Sequence, residues 1–208
     1  MNIVFFGDSI TDAERSRTPE GLSPMGTGYP LLVDAALSVD APGKYRFFNS
    51  GIGGNRVIDL YERLQADIWQ HEPDVLSILI GVNDVYYRWV SEYDPVDSDR
   101  YIATYRKIIE ESKKRFPLLK VILLEPFLMH GSATDPYWNE FSKEILSRAK
   151  LVKALSKETH SCFVPLQAVF QKAYESYSEG CWTRDGIHPT PGGHQLIADA
   201  WIQAFHSL

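Results

Sequence analysis

Short apolar runs alternate along the chain with longer stretches whose apolar residues return at helical spacing. Residues 3–6, 45–49, 75–80, 121–124 and 161–164 read as five strands. They are rich in Val, Ile and Leu without clean alternation, the pattern of strands buried on both faces. Between them, Val57, Leu60, Tyr61, Leu64 and Ile68 repeat at the spacing of one helix face. Tyr101, Ile102, Tyr105, Ile108 and Ile109 do the same, and Lys113-Lys114-Arg115 suits the carboxyl end of that helix. Phe141, Ile145, Ala149, Val152 and Leu155 form a third stripe, and residues 30–37 and 166–174 read as shorter helices. The last helix opens at Thr190-Pro191, a capping residue before proline, and runs to about residue 206. Strand–helix alternation with doubly buried strands predicts one parallel sheet covered by helices on each side, with residues 1–208 as a single domain. Two long connections, 11–29 and 125–137, are expected at the carboxyl edge of that sheet, where open α/β folds bind ligands.

Composition narrows the function. A net charge of −6 argues against nucleic acid or an anionic membrane as partner. No apolar run approaches the roughly 20 residues that span a bilayer. The amino-terminal apolar stretch has no basic flank and no small-residue cleavage site, which predicts a cytoplasmic protein. Cys162 and Cys181 make no disulfide framework; Cys162 falls in a strand, and Cys181 lacks a second His/Asn set to activate it.

Four short blocks carry candidate chemistry. Gly7-Asp8-Ser9-Ile10-Thr11 follows the first strand, Gly51-Ile52-Gly53-Gly54-Asn55 the second, and Gly81-Val82-Asn83-Asp84 the third; Asp185-Gly186-Ile187-His188-Pro189 precedes the last helix. A serine on a tight turn after a strand is placed to act as a nucleophile, but it needs a base to take its proton. His188 is the candidate base, and Asp185, three residues earlier, the group to orient its imidazole. Backbone N–H groups of Ser9 and Gly54 and the Asn83 amide are candidate donors to a developing oxyanion. Each block alone has a plainer reading. The glycine turn could cradle a phosphate, yet it lacks the P-loop lysine. Asn83 could be a turn residue and Asp84 a helix cap. His188 could be a satisfied structural histidine. His194, inside the last helix, reads as structural. The aspartates show no metal-ligand spacing.

Together and in this order, the blocks resemble the GDSL/SGNH hydrolase superfamily over most of the chain, with isoleucine at position 10 in place of the leucine of the family name. The resemblance implies a flavodoxin-like three-layer α/β/α sandwich with a five-stranded parallel sheet, and cofactor-free ester hydrolysis. It implies Ser9 as nucleophile, Gly54 and Asn83 as oxyanion donors, His188 as base and Asp185 as its partner. Asp8-Ser9-Ile10-Thr11-Asp12, Gly26-Thr27-Gly28-Tyr29 and Gly81-Val82-Asn83-Asp84-Val85 are similar to a bacterial subgroup that includes intracellular acetylxylan esterases. An acetylated sugar is therefore the expected substrate. Asp8, Arg56, Tyr86, Trp89 and Trp182 are the candidate substrate contacts, since aromatic faces pack on sugar rings and arginine donates to hydroxyls. The aromatic residues could equally be core, or a contact in a homo-oligomer. The competing readings are a lysophospholipase or thioesterase, with Phe127, Leu128 and Met129 lining an acyl groove, a carbohydrate-binding protein without catalysis, and a nucleotide-binding flavodoxin-like protein. A histidine base predicts activity that rises with pH near about 6–7.

Overall fold

The computed structural model describes residues 1–18, 23–91, 94–177 and 180–208. Part of the connection 11–29 therefore lies outside the described residues. Strands β1 (Asn2–Gly7), β2 (Arg46–Gly51), β3 (Val75–Leu79), β4 (Lys120–Leu124) and β5 (Cys162–Val164) form one sheet in the order β2-β1-β3-β4-β5. Every pairing is parallel, as the doubly buried strand pattern predicts. The helices in chain order are α1 (Ser9–Asp12), α2 (Tyr29–Asp40), α3 (Val57–Glu62), α4 (Leu64–Asp67), α5 (Val82–Val90), α6 (Ser98–Arg115), α7 (Trp138–Glu158), α8 (Leu166–Ser176) and α9 (Pro191–Phe205). Among the described residues, no helix is long and apolar enough to cross a membrane.

Alternate side chains of each strand feed two separate cores, which is why the strands read as continuous apolar runs. Ile3 and Phe5 of β1 join Val75, Leu79, Ile122 and Leu124 under α2, α8 and α9. Val4 and Phe6 point the other way, with Leu76, Ile78, Val121 and Leu123, against α3 and α6. Trp201 of α9 is fully buried in the first core, and its indole N–H donates to Ser77 Oγ at 2.8 Å, so the one polar atom of that side chain is satisfied.

Two elements depart from the sequence reading. The stripe from Val57 to Ile68 is not one helix: α3 ends at Glu62, α4 follows after Arg63, and a 3₁₀ turn covers Trp69–His71. Arg63 sits at the break and reaches back beneath the sheet edge. Its guanidinium donates to Ser50 O, Gly7 O and Asn55 Oδ1 and lies over the Phe6 ring, so one side chain caps the carboxyl ends of β1 and β2. The second departure is α5, where sequence patterning offers Asn83 as a turn residue. Gly81 at φ +137 turns the chain sharply out of β3, and Asn83 lies in the first turn of the helix that follows.

The edge of the sheet is tight where β1 and β2 end. Gly7 pairs with Gly51, and a Cβ on Gly51 would stand 2.2 Å from the Asp12 backbone nitrogen. Backbone, not a flexible side chain, occupies that space, so Gly51→Ala should displace α1 and cost about 2 kcal/mol of stability. Urea denaturation checks this; an unchanged midpoint would refute the close approach as a constraint.

Candidate active site

β1 lies between β2 and β3, and the loops leaving these three strands meet at their carboxyl ends, beside the point where the strand order reverses. Ser9 opens α1 directly after β1. Asp8 is its N-cap: the buried carboxylate accepts the Ile10 N–H at 3.0 Å, and the Asn49 amide donates to Thr11 O at 2.7 Å. As the first residue of a helix, Ser9 has a backbone N–H with no acceptor four residues earlier in that helix. The glycine turn lies against it, with Asp12 accepting the Gly53 N–H at 3.0 Å and a short ion pair from Arg17.

His188 reaches this point from the far end of the chain. Its Nε2 lies 2.9 Å from Ser9 Oγ, and its Nδ1 lies 2.7 Å from Asp185 Oδ2. The other carboxylate oxygen of Asp185 accepts the backbone N–H groups of Ile187 and His188. Burial alone would raise the Asp185 pKa; the His188 ring and those two N–H groups overcome it and hold the carboxyl at about 2. An ionised carboxylate can only accept, so His188 carries its proton on Nδ1 and leaves the Nε2 lone pair facing the serine hydroxyl. The hydrogen bond to Asp185 raises the His188 pKa, against burial and the nearby Arg184 cation, and the Asp8 charge adds to the rise. The loop carrying both residues is bolted to the 125–137 connection, where the Met129 and Ala133 N–H groups donate to Gly186 O and Asp185 O.

Gly54 and Asn83 are joined through a common frame. Tyr87 Oη donates to Gly54 O at 2.5 Å, Asn83 Nδ2 to Asn55 O at 3.1 Å, and the Val57 N–H to Asp84 Oδ1 at 3.0 Å. Gly54 adopts φ +81, and a Cβ there would stand 2.6 Å from the Tyr87 hydroxyl. The bare α-carbon thus makes room for a tyrosine. Asn83 uses one amide hydrogen on Asn55 and keeps a second. Burial pushes the Asp84 carboxyl up to about 7 and that of Asp8 up to about 6, since each gains few donors in return.

A cavity of about 360 Å³ opens beside Ser9 and His188, walled by Asp12, Glu14, Arg17, Thr27, Arg184 and His194 among others. The candidate substrate contacts lie elsewhere. Asp8 is sealed beneath α1 as its cap. Arg56 forks onto both oxygens of Asp59 and donates to Asp94 O. Tyr86 stacks on Phe141, close enough to Asp185 for that charge, after burial, to raise the phenol. Trp89 stacks on Tyr137 at 5.0 Å beside a separate cleft, and the Trp182 indole donates to Tyr177 O. Tyr86 and Trp89 spend their faces on Phe141 and Tyr137, and Trp182 lines a different cleft beside Tyr177. The polar wall of the cavity, above all the Arg17 and Arg184 cations and the His194 ring, is not marked by any motif in the sequence. Arg184 directly precedes Asp185, and that adjacency was the available signal. Among the described residues no group of three or more His, Cys, Asp or Glu side chains is arranged to hold a metal.

Residues 5–196 match the GDSL-like lipase/acylhydrolase family. The chain belongs to that family. It is accordingly a carboxylic ester hydrolase. The acetylxylan esterase of Geobacillus stearothermophilus is 35% identical over 209 residues, which cover 97% of this chain and 92% of that protein. The crystal structure of that acetylxylan esterase superposes with a TM-score of 0.85 at 34% identity, covering 98% of this chain and 93% of the other. A solved GDSL-like lipase-type protein of Parabacteroides merdae ATCC 43184 gives a TM-score of 0.90 at 33% identity, over 98% of this chain and 94% of its own.

The hydrogen bond to Asp185, reinforced by its charge, is the main source of the raised His188 pKa. Asp185→Asn should therefore move the His188 titration midpoint down, as read from its ring resonances by NMR. A midpoint that stays in place would show that the pair is not electrostatically coupled.

Proposed function

We propose that this protein removes acetyl groups from carbohydrates such as xylo-oligosaccharides through a covalent acyl-enzyme. The observation that carries the reading is the continuous line Asp185–His188–Ser9, with links of 2.7 and 2.9 Å, at the wall of a cavity that Arg17, Arg184 and Thr27 also line. Known catalytic mutants of the Geobacillus acetylxylan esterase replace an aspartate, a serine and a histidine with alanine, the same three residue types.

In the proposed cycle, Ser9 Oγ attacks the acetyl carbonyl carbon while His188 Nε2 takes the hydroxyl proton. Negative charge gathers on the carbonyl oxygen, where the Ser9 and Gly54 N–H groups and the remaining Asn83 amide hydrogen serve as donors. Removing one such donor typically costs about 10²–10³ in turnover. The tetrahedral adduct then collapses: the bond from the carbonyl carbon to the sugar oxygen breaks, and His188 returns its proton to that oxygen. Water repeats the sequence on the acetyl-serine, with His188 again taking and returning the proton, and acetate leaves. Asp185 keeps the ring in one tautomer and stabilises the transient imidazolium throughout.

The cavity lining favours a polar leaving group. Phe127, Leu128 and Met129, the residues offered for an acyl groove, are buried in the core instead. Charged and hydroxylated side chains wall the space beside the nucleophile. This arrangement tells against long-chain lysophospholipase or thioesterase activity.

Two outcomes follow. Ser9→Ala should lower acetate release from acetylated xylo-oligosaccharides by about 10³-fold or more, and p-nitrophenyl acetate should be preferred over the octanoate. Full activity in Ser9→Ala, or a clear octanoate preference, rejects the proposal. The imidazolium cannot accept the serine proton, so kcat/KM should rise as His188 deprotonates. Because its pKa is raised, the midpoint of that limb should lie above the ordinary histidine value of about 6.5, toward or beyond the top of the range read from sequence. A pH-rate profile with a midpoint below that value contradicts the assignment.

A further inference from the structure

His194 looks structural from sequence because it sits inside α9, one turn from its start. One of its nitrogens is indeed structural: Nδ1 accepts the Tyr29 backbone N–H at 3.1 Å, tying α9 to the first residue of α2. A backbone N–H can only donate, so Nδ1 must be the unprotonated nitrogen. Burial, helped by the charges of Arg184 and His188, pushes the His194 pKa down to about 4, so the ring is neutral at ordinary pH and its hydrogen is on Nε2. The residue is more than nine-tenths buried. Among the described residues Nε2 nevertheless has no protein partner, and it is not sealed from solvent. The opening that the ring borders is the Ser9–His188 cavity. A donor fixed on a tautomer-locked ring at the cavity wall is free to meet whatever fills that cavity.

We propose that His194 is a substrate-binding residue whose Nε2–H donates to a hydroxyl or ring oxygen of the sugar that carries the acetyl group. This rests on the carbohydrate-deacetylase reading above. The placement selects the sugar and not the acetyl group. The departing sugar oxygen takes its proton from His188 Nε2, so the sugar must lie on the His188 side of Ser9. That side is the cavity walled by His188, Arg184, Thr27 and His194, whereas Gly54 and Asn83, the proposed oxyanion donors, do not line it. The His194 ring borders the same cavity as His188, and its unpartnered nitrogen is the one not committed to Tyr29. Because its tautomer is set by Tyr29, the donor needs no reorganisation when substrate arrives.

The two nitrogens can be separated by substitution. In His194→Asn the amide oxygen can replace Nδ1 as acceptor for Tyr29, while the donor into the cavity is lost. In His194→Gln the amide nitrogen can reach the Nε2 position. For His194→Asn, KM for acetylated xylobiose should rise about tenfold more than KM for p-nitrophenyl acetate, which has no sugar, with kcat much less affected. His194→Gln should recover most of that difference. Parallel changes on both substrates, or none, overturn the assignment of His194 while leaving the deacetylase reading intact. Wild-type protein that cleaves p-nitrophenyl acetate but not acetylated xylobiose overturns both. A second measurement needs no change at His194. In Ser9→Ala protein, the Nε2 nitrogen resonance of His194 should shift when acetylated xylobiose is added, and a resonance that stays fixed at saturating ligand overturns the proposal.

Discussion

The contact between Ser9 Oγ and His188 Nε2 joins residues 179 positions apart, and neither end can hold it alone. Ser9 is fixed because β1 is an interior strand, paired with β2 and β3, and stops at Gly7, after which the Asp8 cap starts a helix at once. Gly51 lets the β2 backbone press against Asp12, and Arg63 ties the ends of β1 and β2 from below. His188 has no strand or helix under it. It depends on Asp185, on the bridge between Thr183 and Pro189, and on the two backbone bonds from the 125–137 connection. The nucleophile is thus held by the sheet and the base by a clamped loop, and their distance reflects how well the two are docked.

Electrostatics around this contact follow from counting donors. Asp185 accepts three hydrogen bonds and stays ionised to about pH 2. Asp8 and Asp84 are buried more deeply, and each takes one backbone N–H from outside its own residue, so their pKa values rise to about 6 and 7. When ionised, Asp8 adds to the field that favours the His188 cation. The arrangement places negative charge behind the imidazole and leaves its front face to the serine. Asp84 has a second use: it anchors the start of α3 to the start of α5, and so keeps the glycine turn beside Asn83.

Much of this was legible in the chain. Strands buried on both faces announced themselves as Val/Ile/Leu runs, and each chemical block fell just past a strand or before the last helix, so order along the sequence became position along one sheet edge. Helix boundaries at Thr190-Pro191 and Lys113-Lys114-Arg115 followed from capping and charge. Other features could not be read locally. The break at Arg63 serves contacts to Gly7 and Ser50, far along the chain. Tyr86 and Trp89 have the chemistry of sugar platforms, but their stacking on Phe141 and Tyr137 depends on where α7 packs. The two nitrogens of His194 are distinguished by the Tyr29 N–H, 165 residues away, and no periodicity carries that information.

The central claim is that the Ser9 hydroxyl is activated by His188. A serine-directed p-nitrophenyl phosphonate tests it by covalent capture, with the site mapped by peptide mass spectrometry. The account predicts one adduct per chain, on Ser9, forming far more slowly in His188→Ala protein. An adduct on another residue, or labelling of Ser9 at an undiminished rate without the imidazole, would contradict it.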